Sequence, residues 1–334
     1  MVLRVDQLVE LLDLGVAAGP AANLKPGDPN PVFAVDTERG PWVIKTVRSA
    51  GGAWWLDRVQ RAASLEQAAL AAGVAMPGVA PATPGERIGM WTPAGDGTYA
   101  RALVRITGSH PPVPLAPEVS RWVGGTLAAV ETVAPPIPGA WEETGYPTYS
   151  AQEWADWLDE ARALDMLSSA QAVDAAHLIT ELNERIEAGI KDCPALKVLH
   201  RDVSRVNILL TDGGPLLLDF DSAGPQVPWW EAVGHFFALA SPDLGRVEPD
   251  RRSIDAAVAG YRAAGGEPGP AAPEAFAGRL AAELSYAAFL LWNACGHRGG
   301  DAAWHRRCAH GMRRSLGALS SIAASAQRWS TWLR

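Results

Sequence analysis

Two apolar segments separated by a short turn, in the second half of the chain, constrain its fold most. Residues 208–210 and 216–218 are apolar, and residues 211–215 between them have the sequence Thr-Asp-Gly-Gly-Pro, which is typical of a hairpin turn. Asn207 directly precedes the first segment, and Asp219 directly follows the second. Because the two strands of a hairpin run back along each other, the pattern predicts that Asp219 lies beside Asn207.

Polar residues before and after this hairpin have a spacing that indicates a particular chemistry. Asp202 lies five residues before Asn207, and Asp221 lies two residues after Asp219. In phosphoryl transfer one carboxylate orients the attacking hydroxyl, while an amide and a second carboxylate hold Mg²⁺. We interpret Asp202 as the catalytic base, and Asn207 and Asp219 as Mg²⁺ ligands. Asp221 is a further metal-binding candidate, and the alternative for all these positions is loop capping.

Composition limits the other classes of function. The 334 residues are 48% hydrophobic and 20% charged, which permits a large core and two lobes, and the net charge of −8 disfavours binding to nucleic acid. Charged residues among the leucines of residues 1–16 predict an amphipathic helix, and the apolar residues 284–295 are too few to span a bilayer. Three widely spaced cysteines fit a reducing compartment. We therefore expect a cytoplasmic protein without a membrane partner.

The first hundred residues carry the strand patterns. Helical spacing of apolar residues in residues 54–72, ended by Gly73, predicts one helix among these strands. Gly, Pro and Asp turns separate the strands, so a small, mostly antiparallel sheet is expected. The predicted strands are residues 32–37, 42–47, 87–92 and 99–106.

The character of the chain changes after Gly108, where a proline-rich connector at residues 111–117 precedes alanine-rich helical patterns. We therefore expect a nucleotide-binding lobe in residues 1–107 and a mainly helical lobe in residues 108–334, which carries the catalytic loop, the metal site and the substrate-binding helices. The predicted helices are residues 118–133, 150–167, 170–190, 253–264, 273–295 and 301–333.

Lys45 lies in a predicted strand after a turn at residues 38–41, where a lysine that contacts nucleotide phosphates is expected. Burying an ammonium group without a partner is costly. The only glutamate between Lys45 and Gly85 is Glu66, in the predicted helix. We therefore predict a Lys45–Glu66 ion pair at the nucleotide, and the alternative is an edge strand with Lys45 in water.

Further nucleotide contacts are expected on both sides of this lysine. Residues 27–31 precede the first strong strand and would arch over the phosphates, with Asn30 as a contact, although a plain turn is the alternative. The backbone groups of Val104 and Ile106 are candidates for the adenine edge. Arg205 is a candidate for phosphate oxygens, against the alternatives of facing solvent or pairing with a carboxylate.

Two other residue groups suggest ligands. Residues 295–310 contain cysteines and histidines that are soft-ligand candidates for zinc, but their spacing is wrong for a zinc finger, and a solvated basic helix face is the alternative. Aromatic residues beside acidic ones are placed to line a cationic pocket, with core packing as the alternative. These are Trp141, Trp154 and Trp157, near Glu142, Glu143, Glu153, Asp156, Asp159 and Glu160.

The motifs from residue 27 to residue 231 resemble those of the aminoglycoside phosphotransferase family, the small-molecule branch of the protein-kinase-like fold related to choline and homoserine kinases. The resemblance implies an α+β, bilobal fold with a small antiparallel N-lobe sheet, one main N-lobe helix and a larger, mainly helical C-lobe. It further implies ATP-dependent transfer of the γ-phosphate to a hydroxyl of a small polar or cationic molecule, such as an aminoglycoside or another antibiotic. The expected cofactors are Mg²⁺ and ATP, with GTP as an alternative.

The chain departs from this family at Arg201, which gives the His-Arg-Asp triplet of protein kinases. However, Ser204 stands where protein kinases have a lysine, and only residues 222–230 separate Asp221 from Glu231. So short a segment leaves no loop to dock a peptide or to receive a regulatory phosphate. Small-molecule transfer is therefore favoured over a protein kinase, and a catalytically silent kinase-like binding protein is the remaining alternative.

Overall fold

The computed structural model describes residues 4–24, 30–49, 51–80, 88–137, 146, 149–191 and 196–334. Internal contacts divide the chain into two units. The first unit is Met1–Pro111 with His200–Gly224, and the second is Pro112–Leu199 with Pro225–Arg334. The segment with the catalytic candidates therefore groups with the N-terminal residues.

Helices and strands are numbered separately in chain order. The helices are α1 (Val5–Leu11), α2 (Ala53–Ala71), α3 (Pro117–Val133), α4 (Ala151–Ala163), α5 (Ser169–Lys191), α6 (Pro228–Leu239), α7 (Arg251–Ala263), α8 (Ala277–Ala294) and α9 (Ala302–Ser330). The strands are β1 (Ala22–Asn23), β2 (Val32–Thr37), β3 (Gly40–Arg48), β4 (Thr92–Pro93), β5 (Thr98–Val104), β6 (Pro136–Ile137), β7 (Leu196–Leu199), β8 (Ile208–Thr211), β9 (Gly214–Leu217) and β10 (Gly224–Gln226).

An antiparallel sheet in the order β1-β2-β3-β5-β4 forms the centre of the first unit. One face of this sheet carries Ile44 and Ala102, which are buried against the leucines of α1 and of the turn that follows it. Because side chains alternate along a strand, Lys45 and Arg101 point to the opposite face. Lys45 and Arg101 are also directly paired in the β3–β5 register. The sheet thus brings two cationic side chains together.

The predicted hairpin is confirmed, with β8 and β9 paired antiparallel from Ile208 opposite Leu217 to Thr211 opposite Gly214. Backbone hydrogen bonds join Leu210 to Ser109 in both directions, and the Leu217 N–H donates to the Ala75 carbonyl oxygen. These bonds explain why the hairpin groups with the first unit, although the expected lobe boundary at residue 107 assigns it to the C-lobe. The roles assigned to the two lobes stay predictions.

Several expected elements differ from those observed. The expected strand 87–92 is wrong in its described part, because Ile88 and Trp91 form only an isolated bridge and β4 begins at Thr92. The expected helix at residues 1–16 ends at Leu11, shortly before Asp13 adopts a positive φ of 49°. Residues 25–29, 81–87 and 138–145 lie outside the described residues, and so do the candidates Trp141, Glu142 and Glu143. No helix in the described ranges is long and apolar enough to cross a membrane.

Helix packing dominates the second unit, and two glycines allow the backbones of α3 and α7 to approach each other closely. A Cβ atom at Gly124 of α3 would lie 1.9 Å from the Ala257 carbonyl oxygen of α7. Likewise, a Cβ atom at Gly260 of α7 would lie 2.0 Å from the Arg121 carbonyl oxygen of α3. Both contacts are with backbone, so a larger residue would have to move a whole helix. The sequence of these two helices therefore permits a crossing that only glycine allows.

Substitution of Gly124 by alanine tests this crossing. We expect Gly124→Ala to lower the free energy of unfolding by about 1–3 kcal/mol, because overpacking moves α3 away from α7. Denaturant titration measures this change. Gly125→Ala is the matched control. A Cβ atom at Gly125 would lie 3.8 Å from its nearest neighbours, and helix propensity favours alanine over glycine there. Equal unfolding free energies for the two variants would contradict the proposed crossing.

Candidate active site

The predicted catalytic loop begins at His200, whose side chain is fully buried. The Asp202 N–H donates to His200 Nδ1 at 3.3 Å, so the ring is neutral and its Nε2 donates to the Leu218 carbonyl oxygen at 3.0 Å. The imidazole also packs edge-to-face on Phe220, with 4.5 Å between ring centroids. His200 therefore joins the loop before the hairpin to the segment after it.

Asp202 and Asn207 are brought together by their own side chains. The Asn207 Nδ2 group donates to the Asp202 Oδ2 at 2.9 Å and to the Asp202 carbonyl oxygen at 2.8 Å. The Leu218 N–H donates to the Asn207 carbonyl oxygen at 2.8 Å, which places the segment after β9 beside Asn207. The amide nitrogen of Asn207 is thus engaged with Asp202, and the Oδ1 atom is the one that would bind a metal.

Asp219 and Asp221 both contact Lys45. The Lys45 Nζ atom lies 2.7 Å from Asp219 Oδ1 and 2.6 Å from Asp221 Oδ2. Asp219 adopts a left-handed conformation, with φ 63° and ψ 76°, which turns the chain sharply between the two carboxylates. Lys45 lies in β3 between β2 and β5, and its side chain is only 12% exposed. The alternative of an edge-strand lysine in water is therefore wrong.

The electrostatic surroundings keep Asp219 ionised. Burial raises the pKa of the Asp219 carboxyl, but the charge and hydrogen bond of Lys45, together with the charge of Arg101, outweigh burial and lower this pKa to about 2. The carboxylate is thus negatively charged at neutral pH and able to bind a cation. Its cationic partner in the structure is the Lys45 ammonium group.

The expected Lys45–Glu66 ion pair is wrong, because Glu66 pairs with Arg101 instead, at 2.5 Å. Arg101 also contacts Asp221 at 2.7 Å. The cause is the β3–β5 register, which places Arg101 directly opposite Lys45 on the same face of the sheet, where its guanidinium contacts Glu66 of α2. Burial raises the pKa of Glu66, although the charge and hydrogen bond of Arg101 act in the opposite direction. Sequence reasoning missed Arg101. The signal that could have revealed it is a single arginine among apolar residues in the stretch 100–104, which reads Ala-Arg-Ala-Leu-Val.

A cavity of about 420 Å³ in the first unit is lined by three of the six predicted nucleotide-binding residues, Asn30, Lys45 and Glu66. Asn30 lines this cavity, and its Oδ1 atom accepts a hydrogen bond from the Arg48 N–H at 3.0 Å. The other predicted site residues in its lining are Lys45, Glu66, Asp219 and Asp221, and Arg101 joins them. The cavity is therefore lined by charged side chains of both signs, and the cations among them suit phosphate oxygens.

Three predicted nucleotide contacts lie outside that lining. The Val104 N–H donates to the Gly78 carbonyl oxygen at 2.7 Å, so this donor is engaged within the protein. Ile106 follows the end of β5, and the Arg205 side chain is exposed in the single turn before β8. Their contacts with a nucleotide stay predictions, with Ile106 rather than Val104 as the position for a backbone donor.

The predicted metal ligands fit Mg²⁺ by their chemistry, because Asn207, Asp219 and Asp221 supply oxygen atoms. The two carboxylates already face a common cation, since Lys45 Nζ lies between them. Among the described residues, no group of three or more His, Cys, Asp or Glu could hold a metal ion. The predicted Mg²⁺ ligands are not a group of this kind, because one of the three, Asn207, would bind the metal through an amide oxygen. Over the described ranges the histidines and cysteines of residues 295–310 therefore form no such site, and Cys193 lies outside them.

A family model described as the phosphotransferase enzyme family matches residues 24–276. The chain belongs to this family. A spectinomycin phosphotransferase solved with ADP and spectinomycin is 13% identical, with a TM-score of 0.64, over 96% of this chain and 97% of that chain. A microcompartment-associated aminopropanol kinase is 16% identical, with a TM-score of 0.63, over 96% and 98%.

A choline/ethanolamine kinase family protein from Mesorhizobium loti is 16% identical, with a TM-score of 0.55, over 94% of this chain and 96% of that chain. No curated protein matches the sequence significantly. The expected α+β, protein-kinase-like fold is confirmed, with an antiparallel sheet in the N-terminal part and helices in the C-terminal part. The expected class of enzyme, a small-molecule phosphotransferase, is confirmed by the family.

Replacement of His200 tests the link across the hairpin of this phosphotransferase. We expect His200→Ala to lower the free energy of unfolding by about 2–4 kcal/mol, because it leaves a cavity and a buried carbonyl oxygen without its donor. Thermal and denaturant unfolding measure this loss. The matched control is His110→Ala, since His110 is exposed and its Nδ1 lies 3.0 Å from the Ile208 carbonyl oxygen. A loss no greater than that of the control would contradict the linking role.

Proposed function

We propose that the chain is an ATP-dependent O-phosphotransferase that transfers the γ-phosphate to a hydroxyl of a small polar molecule. The observation that carries the proposal is the hydrogen bond between Asp202 and Asn207, within a segment whose Asp219 contacts Lys45. A base, an amide oxygen, a carboxylate and a lysine are the groups that phosphoryl transfer requires. GTP is the alternative donor.

Asp202 is the proposed catalytic base. Its carboxylate hydrogen-bonds the acceptor hydroxyl and takes the proton as the bond from the acceptor oxygen to the γ-phosphorus forms. The bond between that phosphorus and the oxygen bridging to the β-phosphorus breaks, and the nucleoside diphosphate leaves with the electron pair. The Asn207 side chain fixes the Asp202 carboxylate through the 2.9 Å hydrogen bond. The Asn207 side chain would therefore orient the Asp202 carboxylate for the acceptor hydroxyl.

The charged side chains that line the cavity are proposed to hold the nucleotide phosphates. Lys45 would contact phosphate oxygens, because its ammonium group lies at the cavity beside Asp219. Asn207, Asp219 and Asp221 would hold Mg²⁺, which neutralises charge on the phosphates when bound. Asn30 lines the same cavity and would contact the phosphates from β2's side. These roles rest on the geometry and on the chemistry of the side chains.

The acceptor is proposed to carry an amine or ammonium group as well as a hydroxyl. Spectinomycin, aminopropanol and choline or ethanolamine appear in the names of the three similar structures, and aminopropanol and ethanolamine are amino alcohols. In the second unit, Trp157 packs edge-to-face with Tyr149 and Trp292, with centroid distances of 4.8 Å to each. The Arg298 guanidinium lies 4.9 Å from the Trp292 ring centroid, so this aromatic surface already accommodates a cation.

Turnover with a panel of acceptors tests the proposed function. We expect Mg²⁺-dependent formation of nucleoside diphosphate from ATP or GTP with one or more aminoglycosides, other antibiotics, amino alcohols or sugars. Mass spectrometry identifies the phosphorylated product. Asp202→Ala should lower kcat by about 10²–10⁴-fold, because general base catalysis contributes that much. Asp212→Ala is the matched control, because Asp212 is an exposed aspartate in the hairpin turn.

Two outcomes would contradict this function. Nucleotide binding without turnover of any acceptor, and without an effect of Asp202→Ala, would favour the catalytically silent binding protein. Transfer of labelled phosphate to protein substrates, with none to small molecules, would favour a protein kinase.

A further inference from the structure

Lys45 and Arg101 oppose each other across β3 and β5, and both cations lie on one face of the sheet. Like charges at directly opposed positions destabilise a sheet unless anions separate them. Glu66, Asp219 and Asp221 supply these anions. The three carboxylates are not shared equally. Glu66 contacts Arg101, Asp219 contacts Lys45, and Asp221 contacts both cations.

Arg101 is the most deeply buried member of this group. Its side chain is 1% exposed, and that of its partner Glu66 is 4% exposed. The Nη1 and Nη2 atoms contact different carboxylates, Glu66 at 2.5 Å and Asp221 at 2.7 Å. The guanidinium also lies 4.6 Å from the centroid of the Trp91 ring. The planar guanidinium, held by two carboxylates, has a fixed orientation, which a flexible ammonium group would lack.

The contact with Asp221 connects the Arg101 guanidinium to the predicted metal ligands. Asp221 lies in the turn Phe220–Ser222, which packs against α2, the helix that carries Glu66. The Asp221 N–H donates to Asp219 Oδ1 at 3.4 Å. Displacement of Asp221 would therefore displace the Asp219 side chain as well. Glu66, Arg101 and Asp221 form a continuous bridge from α2, through β5, to the carboxylates.

We propose that Arg101 is a positioning residue, which fixes Asp219 and Asp221 for Mg²⁺ and thereby takes over the link to α2 expected of Lys45. Lys45, which contacts Asp219 and Asp221 in the structure, is then not needed for the link to α2 and would contact the nucleotide phosphates. The inference rests on the proposed function and adds separate roles for its two cations. Arg101 orients the metal ligands, and Lys45 contacts the nucleotide phosphates. Loss of the bridge weakens the response to Mg²⁺, whereas loss of Lys45 weakens nucleotide binding itself.

Arg101→Lys separates position from charge. The lysine keeps the positive charge beside the carboxylates, but its single ammonium group cannot hold Glu66 and Asp221 in the same fixed geometry. We expect the Mg²⁺ concentration for half-maximal nucleotide binding to rise about 10-fold or more, as is typical when a residue that orients metal ligands is lost. Nucleotide affinity at saturating Mg²⁺ should stay close to that of the wild type. Lys45→Met should instead weaken nucleotide binding at every Mg²⁺ concentration.

Calorimetric titration of a non-hydrolysable ATP analogue over a series of Mg²⁺ concentrations measures both effects without turnover. Arg39→Lys is the matched control, because Arg39 pairs with Asp13 at 2.8 Å on the exposed surface of the same unit. Glu66→Gln is the second variant, since it removes the negative charge at the other end of the bridge with almost no change in size. Glu66→Gln should also raise the Mg²⁺ requirement. If Arg101→Lys does not fold, Glu66→Gln decides the question alone.

Mg²⁺ titrations of Arg101→Lys and Glu66→Gln that match those of Arg39→Lys would overturn the inference, even if their melting temperatures fall, because Arg101 would then serve stability only. A wild-type protein that binds no nucleotide would contradict the proposed function and this inference together. A wild type that binds nucleotide, with variants whose Mg²⁺ response is unchanged, contradicts the inference alone.

Discussion

The buried charges around Lys45 and Arg101 are the constraint on which the first unit depends. Removing one partner from a buried ion pair typically costs about 3–5 kcal/mol, because the other charge remains without compensation. Two cations and three carboxylates come from β3, β5, α2 and the turn after β9, so the sheet, the helix and the hairpin must reach their positions together. The same charged side chains line the cavity. Stability and the proposed chemistry therefore depend on a single network.

The hairpin of β8 and β9 connects the proposed base to the metal ligands. His200 and Asn207 each bond to the backbone of Leu218, the residue before Asp219. Asp202 is held in turn by the Asn207 side chain, so the base and the metal ligands are connected through short local bonds. Such bonds require only that β8 and β9 pair in register. The part of the site around the hairpin is thus encoded locally, whereas the part around Lys45 depends on long-range contacts.

This difference explains how much could be predicted from the sequence. The hairpin and the proximity of Asn207 to Asp219 followed from turn residues and apolar runs, which act over a few positions. The partner of Glu66 could not be found in this way, because it depends on which residue of β5 lies opposite Lys45. A shift of one residue in that register would point Arg101 to the other face. The misplaced strand at residues 87–92 has a similar cause, since short strands such as β4 carry little pattern of their own.

The arginine of the His-Arg-Asp triplet packs against the short segment that follows Asp221. In the structure Arg201 adopts a positive φ of 65°, and a Cβ atom at Gly224 would lie 2.8 Å from its Nη1 atom. The Arg201 guanidinium thus lies against the chain three residues after Asp221. Glycine at position 224 leaves the space that the guanidinium needs. The stretch from Asp221 to Glu231 remains only residues 222–230 long, which leaves no loop to dock a peptide and favours a small-molecule acceptor.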